Sequence, residues 1–193
     1  MALTSTAPIT GSFPRPRPTS VSSSPLVLEP LAADDESLFV MLYSDPATMH
    51  FIGLPLAKRR ARANFHHALR QWRESQAGFL YWRIREPGKP RPIGLIALVF
   101  DTSGPRRCAE IGVMLRPEAR RRKLSKIAMW MLARQAFDHG LADELRARHA
   151  PSHVAVRRLL EGLGYRREAV ADGSSEFVHW LLRREDMGDS WNG

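Results

Sequence analysis

Apolar and polar positions along this chain follow two periods, and each change of period marks an element. Leu26, Val27 and Leu28 form a short apolar run read as a strand. Ala33-Asp34-Asp35 then caps a helix whose stripe holds Leu38, Phe39, Met41 and Leu42. Residues 46–52 are read as a further turn of helix. Over residues 57–76, Ala61, Phe65, Ala68, Leu69 and Trp72 recur at helical spacing, which predicts a longer amphipathic helix with a basic outer face. Residues 79–85 alternate as a strand, the turn EPGKPRP follows, and residues 92–100 form a second strand, so the two read as a hairpin. Residues 109–115 predict a third strand.

The second half has helices between strands. Residues 122–139 carry an apolar stripe (Leu124, Ile127, Ala128, Met131, Leu132, Ala136) and stop at Gly140. A strand at 145–149, a helix at 153–163 ended by Gly164, and strands at 165–170 and 177–182 complete the chain. Helices that join strands imply right-handed crossovers and some parallel pairing, so the predicted class is α+β with one mixed sheet.

Composition narrows this to one domain. The 193 residues are 44% hydrophobic and 25% charged, enough to bury a core. The predicted division is a Ser/Pro/Arg tail at 1–24, a domain at 25–186 and a short tail at 187–193. Pro14, Pro16 and Pro18 exclude the amphipathic helix of a transit peptide. One cysteine, Cys108, excludes an internal disulfide framework and multi-cysteine metal sites. His66-His67 has no partner at metal spacing, so no metal is expected. Without an apolar run of about 18 residues nothing is expected to span a membrane, and the expected compartment is cytoplasmic. The net charge of +9, from arginine rather than lysine, fits a nucleic acid, a phosphate-bearing cofactor or an acidic protein as partner. A GC-rich genome yields the same arginine excess, so local clustering matters more.

That clustering lies in AEIGVMLRPEARRRKLSKIAMWML, where a strand runs through Pro117 into Arg120-Arg121-Arg122-Lys123 and then a helix. Free amides at a helix start and the helix dipole both favour an anion in the turn, and phosphate is the natural occupant.

The strand AEIGVML, the segment RPEARRRKLSK and the later HVAVRRLLEGLGYRRE, in this order, resemble the GNAT superfamily of acyl-CoA N-acyltransferases. The pattern is most like the branch of ribosomal-protein N-terminal acetyltransferases (RimJ/RimL-like), and the resemblance covers residues 25 to about 184. It implies a mostly antiparallel sheet splayed at one strand and flanked by helices, with acetyl-CoA in the opening. Pantetheine would lie against Val113, Met114 and Leu115, and pyrophosphate on Arg120, Arg121, Arg122, Lys123, Leu124, Ser125 and Lys126. The family's loop reads Q/R-x-x-G-x-G/A, so Lys123 and Ser125 stand where glycines are usual. A left-handed non-glycine residue costs on the order of 1–2 kcal/mol. Each charge-assisted phosphate contact returns about 1.5–3 kcal/mol.

The resemblance also implies catalytic residues. Glu110 corresponds to the glutamate that many members use as a base through water. His153 aligns with the asparagine of an N-x-x-S motif, whose serine is replaced by Val156, and Leu160 stands where other members carry a thiolate-protonating tyrosine. His153, which titrates near neutrality, is therefore the candidate donor to sulfur or a substrate contact. His50 and Phe51 fall where the acceptor site is bordered. The acceptor is expected to be a small-molecule or peptide amine. An α-amine of pKa about 7.7–8.0 is roughly one tenth to one fifth neutral at pH 7, far more than a lysine amine near 10.4, which favours an N-terminal α-amine. The alternative is a catalytically impaired module binding nucleic acid or an acidic protein through Arg59, Arg60, Arg62, Arg120, Arg121 and Arg122. A homodimer through the final strand with Trp180 is also open.

Overall fold

FLYW does not alternate as read from the sequence but, like GLIALVF, is apolar at successive positions, as expected of strands covered on both faces. In the computed structural model, which describes residues 20–23, 25–72, 74, 78–169 and 176–188, they are β3 (Phe79–Arg85) and β4 (Gly94–Asp101) of an eight-stranded sheet. The others are β1 (Val21–Ser23), β2 (Leu26–Pro30), β5 (Cys108–Leu115), β6 (Glu144–His149), β7 (Arg166–Glu168) and β8 (Val178–Arg183). Their order is β1-β2-β3-β4-β5-β6-β8-β7, and only β5 and β6 run parallel. The helix joining them is α4 (Leu124–Asp138), as the helical period between two strand periods predicts.

Alternation on β3 and β4 divides two cores. Leu80, Trp82, Ile84, Ile96 and Leu98 pack with Ala128 and Leu132 of α4 and with Leu160 of α5 (Val154–Glu161). Tyr81, Leu95 and Ala97 pack on the other side with Phe39 and Tyr43 of α1 (Glu36–Ser44) and Phe65 of α3 (Lys58–Gln71). The short α2 (Pro46–Met49) follows α1 on this second face, its first turn capped by the Asp45 carboxylate accepting from the Thr48 amide at 2.7 Å.

Several boundaries differ from the periodic pattern. Val21–Ser23, assigned to the tail by its polar residues, pairs with β2 from Val21↔Leu28 to Ser23↔Leu26. Backbone pairing at a sheet edge needs no apolar signal, so the pattern could not register it. Residues 1–19 and 24 of the predicted tail, the segment 189–193 and the predicted helix end at 75–76 lie outside the described residues. The expectation that the final strand could pair across a dimer is overturned. β8 is covered by β6 on one side and β7 on the other, and Trp180 is buried.

The parallel pair is what opens the sheet. β5 and β6 are in register only at Cys108↔Glu144, Ala109↔Leu145 and Glu110↔Arg146, and beyond Glu110 they part. β5 meanwhile stays laddered to β4 along its whole length, from Asp101↔Cys108 to Gly94↔Leu115. Gly94 permits that last contact, since a Cβ there would stand 2.3 Å from the Met114 carbonyl oxygen. A gap is left at the carboxyl end of β5, facing the start of α4.

Candidate functional site

The gap is a cleft of about 570 Å³ with Glu110 to Leu115 on one wall and Ala147 to His149 on the other. A second, wider hollow of about 700 Å³ lies outside α1 and α3, but its Arg62 and Glu36 already pair with each other at 3.1 Å. The first holds site residues expected from the sequence, among them Glu110, Val113, Arg121 and His153.

At the end of the cleft beside α4, Arg116 leads through a 3₁₀ turn (Pro117–Ala119) into that helix. Pro117 starts that turn without needing a donor, and Ala119 is buried beneath it. Arg121 and Lys123 then adopt left-handed conformations, φ 62° and 57°. Lys123 therefore has the backbone geometry that the resemblance gives to a glycine. The two reversals leave the amides of Arg121, Arg122, Lys123, Leu124 and Ser125 without a backbone carbonyl partner among the described residues. They precede a 15-residue helix whose dipole adds positive potential at the same end.

The side chains of this segment divide between cleft and scaffold. Arg121, Lys123 and Ser125 line the cleft, as do Val113, Met114 and Leu115. Arg120 also borders it but is tethered, donating from Nη2 to Thr48 Oγ1 at 2.7 Å and from Nε to the Leu115 carbonyl at 3.2 Å. Arg122 turns away to Glu86, Nη2 to Oε1 at 2.5 Å, and holds that carboxyl below its usual pKa. Leu124 is buried in the α4 core, and Lys126 lies against Gly162 and not among the residues that line the cleft.

Glu110 occupies the last paired position before the strands separate. Its Oε1 accepts from Arg148 Nε at 3.2 Å, and its Oε2 has no protein partner among the described residues. Strand alternation puts Glu110 and Met114 on the α1 face, opposite Ile111 and Leu115.

Histidines gather at the far wall. His153 precedes α5, and its ring lies 4.2 Å from that of Phe51, which in turn meets His50 at 4.4 Å. Phe51 and His153 line the cleft. Burial, followed by nearby His149 and His50, lowers the His153 pKa. His149, at the end of β6, is a residue that the sequence reading missed. Its Nδ1 sits 2.7 Å from the Ala150 carbonyl. A carbonyl only accepts, so Nδ1 carries a proton in this bond, and in the neutral ring Nε2 is then an acceptor. That Nε2 is buried without a protein partner while the residue lines the cleft. A histidine closing an otherwise apolar-facing strand position was the available signal.

Coenzyme A fits these features. Unpaired amides with Arg121 and Lys123 suit a pyrophosphate, the strand gap suits a narrow pantetheine arm, and the orphaned His149 Nε2 suits an N–H group on that arm. Among the described residues no group of three or more His, Cys, Asp or Glu side chains could hold a metal, and no helix is long and apolar enough to cross a membrane.

A family model described as an acetyltransferase (GNAT) domain matches residues 25–166. Among solved structures, an acetyltransferase from Agrobacterium tumefaciens is 20% identical, with 93% of this chain and 100% of that one covered and a TM-score of 0.72. RimJ of Mycobacterium smegmatis in complex with CoA-disulfide is 16% identical, over 86% and 85% of the two chains, with a TM-score of 0.69. Spermidine N-acetyltransferase from Vibrio cholerae, in complex with CoA and spermine, is 14% identical over 85% and 98%, with a TM-score of 0.72. At these identities the likeness is one of fold. No curated protein matches the chain.

Proposed function

The chain belongs to the GNAT acetyltransferase domain family, and from that premise we propose that it moves an acetyl or related acyl group from acyl-CoA to a primary amine by direct attack, with an N-terminal α-amine as the favoured acceptor. The observation that carries this is the turn before α4. Arg121 and Lys123 hold left-handed geometry at a cost, and the result is a row of unpaired amides at the open end of the strand gap. Strain kept at a helix start is explained by an anion that uses it.

Acyl-CoA, when bound, supplies a thioester. The amine nitrogen forms the new C–N bond, the C–S bond breaks, and the amine loses its proton. Arg121, Lys123 and the turn amides bind the pyrophosphate, while Val113 to Leu115 and His149 flank the pantetheine. The two walls hold the reactants together, and orientation of this kind supplies much of the rate. Glu110 takes the amine proton on its unpartnered Oε2, directly or through water, while Arg148 fixes its other oxygen. His153, with its pKa lowered, is neutral near pH 7 and serves to position substrate. A neutral imidazole is a poor acid, and a leaving thiolate whose conjugate acid has pKa about 8.5 does not require a strong one.

The alternative of an arginine face for nucleic acid is less well supported by the arrangement. Arg62 pairs with Glu36, Arg122 with Glu86, and Arg120 is tied to Thr48, so half of that set is engaged internally.

The test is thiol release from acetyl-CoA in the presence of a peptide bearing a free N-terminus. Turnover is expected, and Glu110→Gln should lower kcat by about 10²-fold. Absence of both acetyl-CoA binding and thiol release overturns the reading.

A further inference from the structure

The cleft extends from Glu110 across the α1 face of the sheet. Gly112 of β5 pairs with Ala97 of β4, and Ala97 with Tyr81 of β3, so these residues stand in one cross-strand row. Gly112 is two residues from Glu110 and shares its face. The first two positions of the row, on β5 and β4, are thus glycine and alanine, which leave a trough above the sheet. It ends at Tyr81, whose hydroxyl lies 2.8 Å from that of Tyr43 on α1. Both tyrosines line the cleft and are almost wholly buried.

Each phenol carries one proton and the bond between them uses one. The remaining proton has no acceptor among the described residues. Burial keeps both groups protonated, raising Tyr81 to about 12 and Tyr43 well above its usual value. An orphaned buried O–H is costly, whereas an unused lone pair is better tolerated. The end of the trough therefore calls for an oxygen acceptor on the ligand. Electrostatics agree: among the described lining residues Glu110 is the only carboxylate and is paired with Arg148, while Arg120, Arg121 and Lys123 are also present. Among the described lining residues there is no second carboxylate to receive a second ammonium.

We propose that the Tyr43–Tyr81 pair selects the acceptor by donating its spare proton to a carbonyl or carboxylate oxygen that the acceptor carries beyond its amine. The acceptor class is then an α-amino-acyl compound, such as a peptide N-terminus, and not a polyamine or a plain alkylamine. This rests on the acyltransferase reading of the same cleft. The row spans two strand spacings, about 10 Å, which an amine followed by one or two residues can bridge.

Initial rates of thiol release from acetyl-CoA with alanyl-alaninamide, propylamine and spermidine test it, in the unaltered full chain and in Y43F/Y81F. Removing both hydroxyls leaves no buried group unpaired, so the double variant should fold; Y81F alone is the second variant should it not. The unaltered protein should prefer the dipeptide. In the double variant the ratio of kcat/KM for dipeptide over propylamine should fall by about 3- to 10-fold, as expected of one lost hydrogen bond; in Y81F, where Tyr43 keeps its proton but loses the hydroxyl that orients it, the fall should be smaller. A ratio that stays constant, or a preference for spermidine, overturns the proposal while leaving the acyltransferase reading standing. If acetyl-CoA neither raises the melting temperature nor is turned over with any amine, both fail together.

Discussion

Lysine at φ 57° is an expensive way to start a helix, and Lys123 does so where a glycine would be relaxed. Lys123→Gly and Lys123→Ala both remove the charge, but only glycine removes the strain. The glycine variant should therefore be more stable than the alanine variant by about 0.5–1 kcal/mol, the reverse of their usual ranking near helices. Urea denaturation checks this, and an alanine variant that is the more stable of the two would mean that the left-handed turn is not kept in solution. Both variants should weaken acetyl-CoA binding, since the ammonium faces the cleft. His153 offers a second test. Its pKa is lowered from 6.5 by burial, then by His149 and His50. An NMR titration should place its midpoint below that value, and His50→Gln should move it upward. Because the unfolded chain takes up this proton first as pH falls through about 6.5, the site contributes a loss of stability on the acid side.

At the scale of elements, the pairing of β2 with β3 depends on a carboxylate as well as on apolar faces. Glu29 stands opposite Arg83 in the ladder and accepts from Arg83 Nε at 2.9 Å and from Arg85 Nη2 at 2.6 Å. The Arg85 hydrogen bond is the largest cause that lowers its pKa, from 4.5 to about 2, with Arg83 adding to it against burial. The linkage has a definite sign. A depressed carboxylate stabilises the fold above about pH 4.5, and the contribution is lost as pH falls toward 2. Allowing for its partial exposure, the effect is on the order of 2 kcal/mol. Glu29→Gln should be less stable than the unaltered chain at pH 7, and the difference should shrink steadily in denaturation curves taken from pH 4.5 to 2.5. A gap that does not change with pH would remove the ion pair from the account.

For the molecule as a whole, the cleft is a discontinuity between two parts of one sheet, and a ligand that bridges β5, β6 and the start of α4 should hold them together. Acetyl-CoA at about 100 times its dissociation constant should add about 2.7 kcal/mol, raising the melting temperature by several degrees, and added salt should diminish the rise because phosphate contacts are screened. An unshifted melting curve would separate the fold from the ligand. The mixed sheet with its helix between parallel strands was legible in the chain, because period is a local feature, and so was the basic turn after Pro117, because Arg120 to Lys123 are consecutive. Which cations meet the cleft was not: Arg122 is drawn off by Glu86, 36 residues away, and Arg120 by Thr48, 72 residues away. His149 was read only as the end of a strand, and nothing in the sequence singled out Tyr43 or Tyr81; folding leaves one with an orphaned nitrogen and the others sharing one bond between two protons. Periodicity is carried by near neighbours and survives in the sequence. The pairing of polar atoms is decided by which distant elements stop beside each other, and only the tertiary structure contains that.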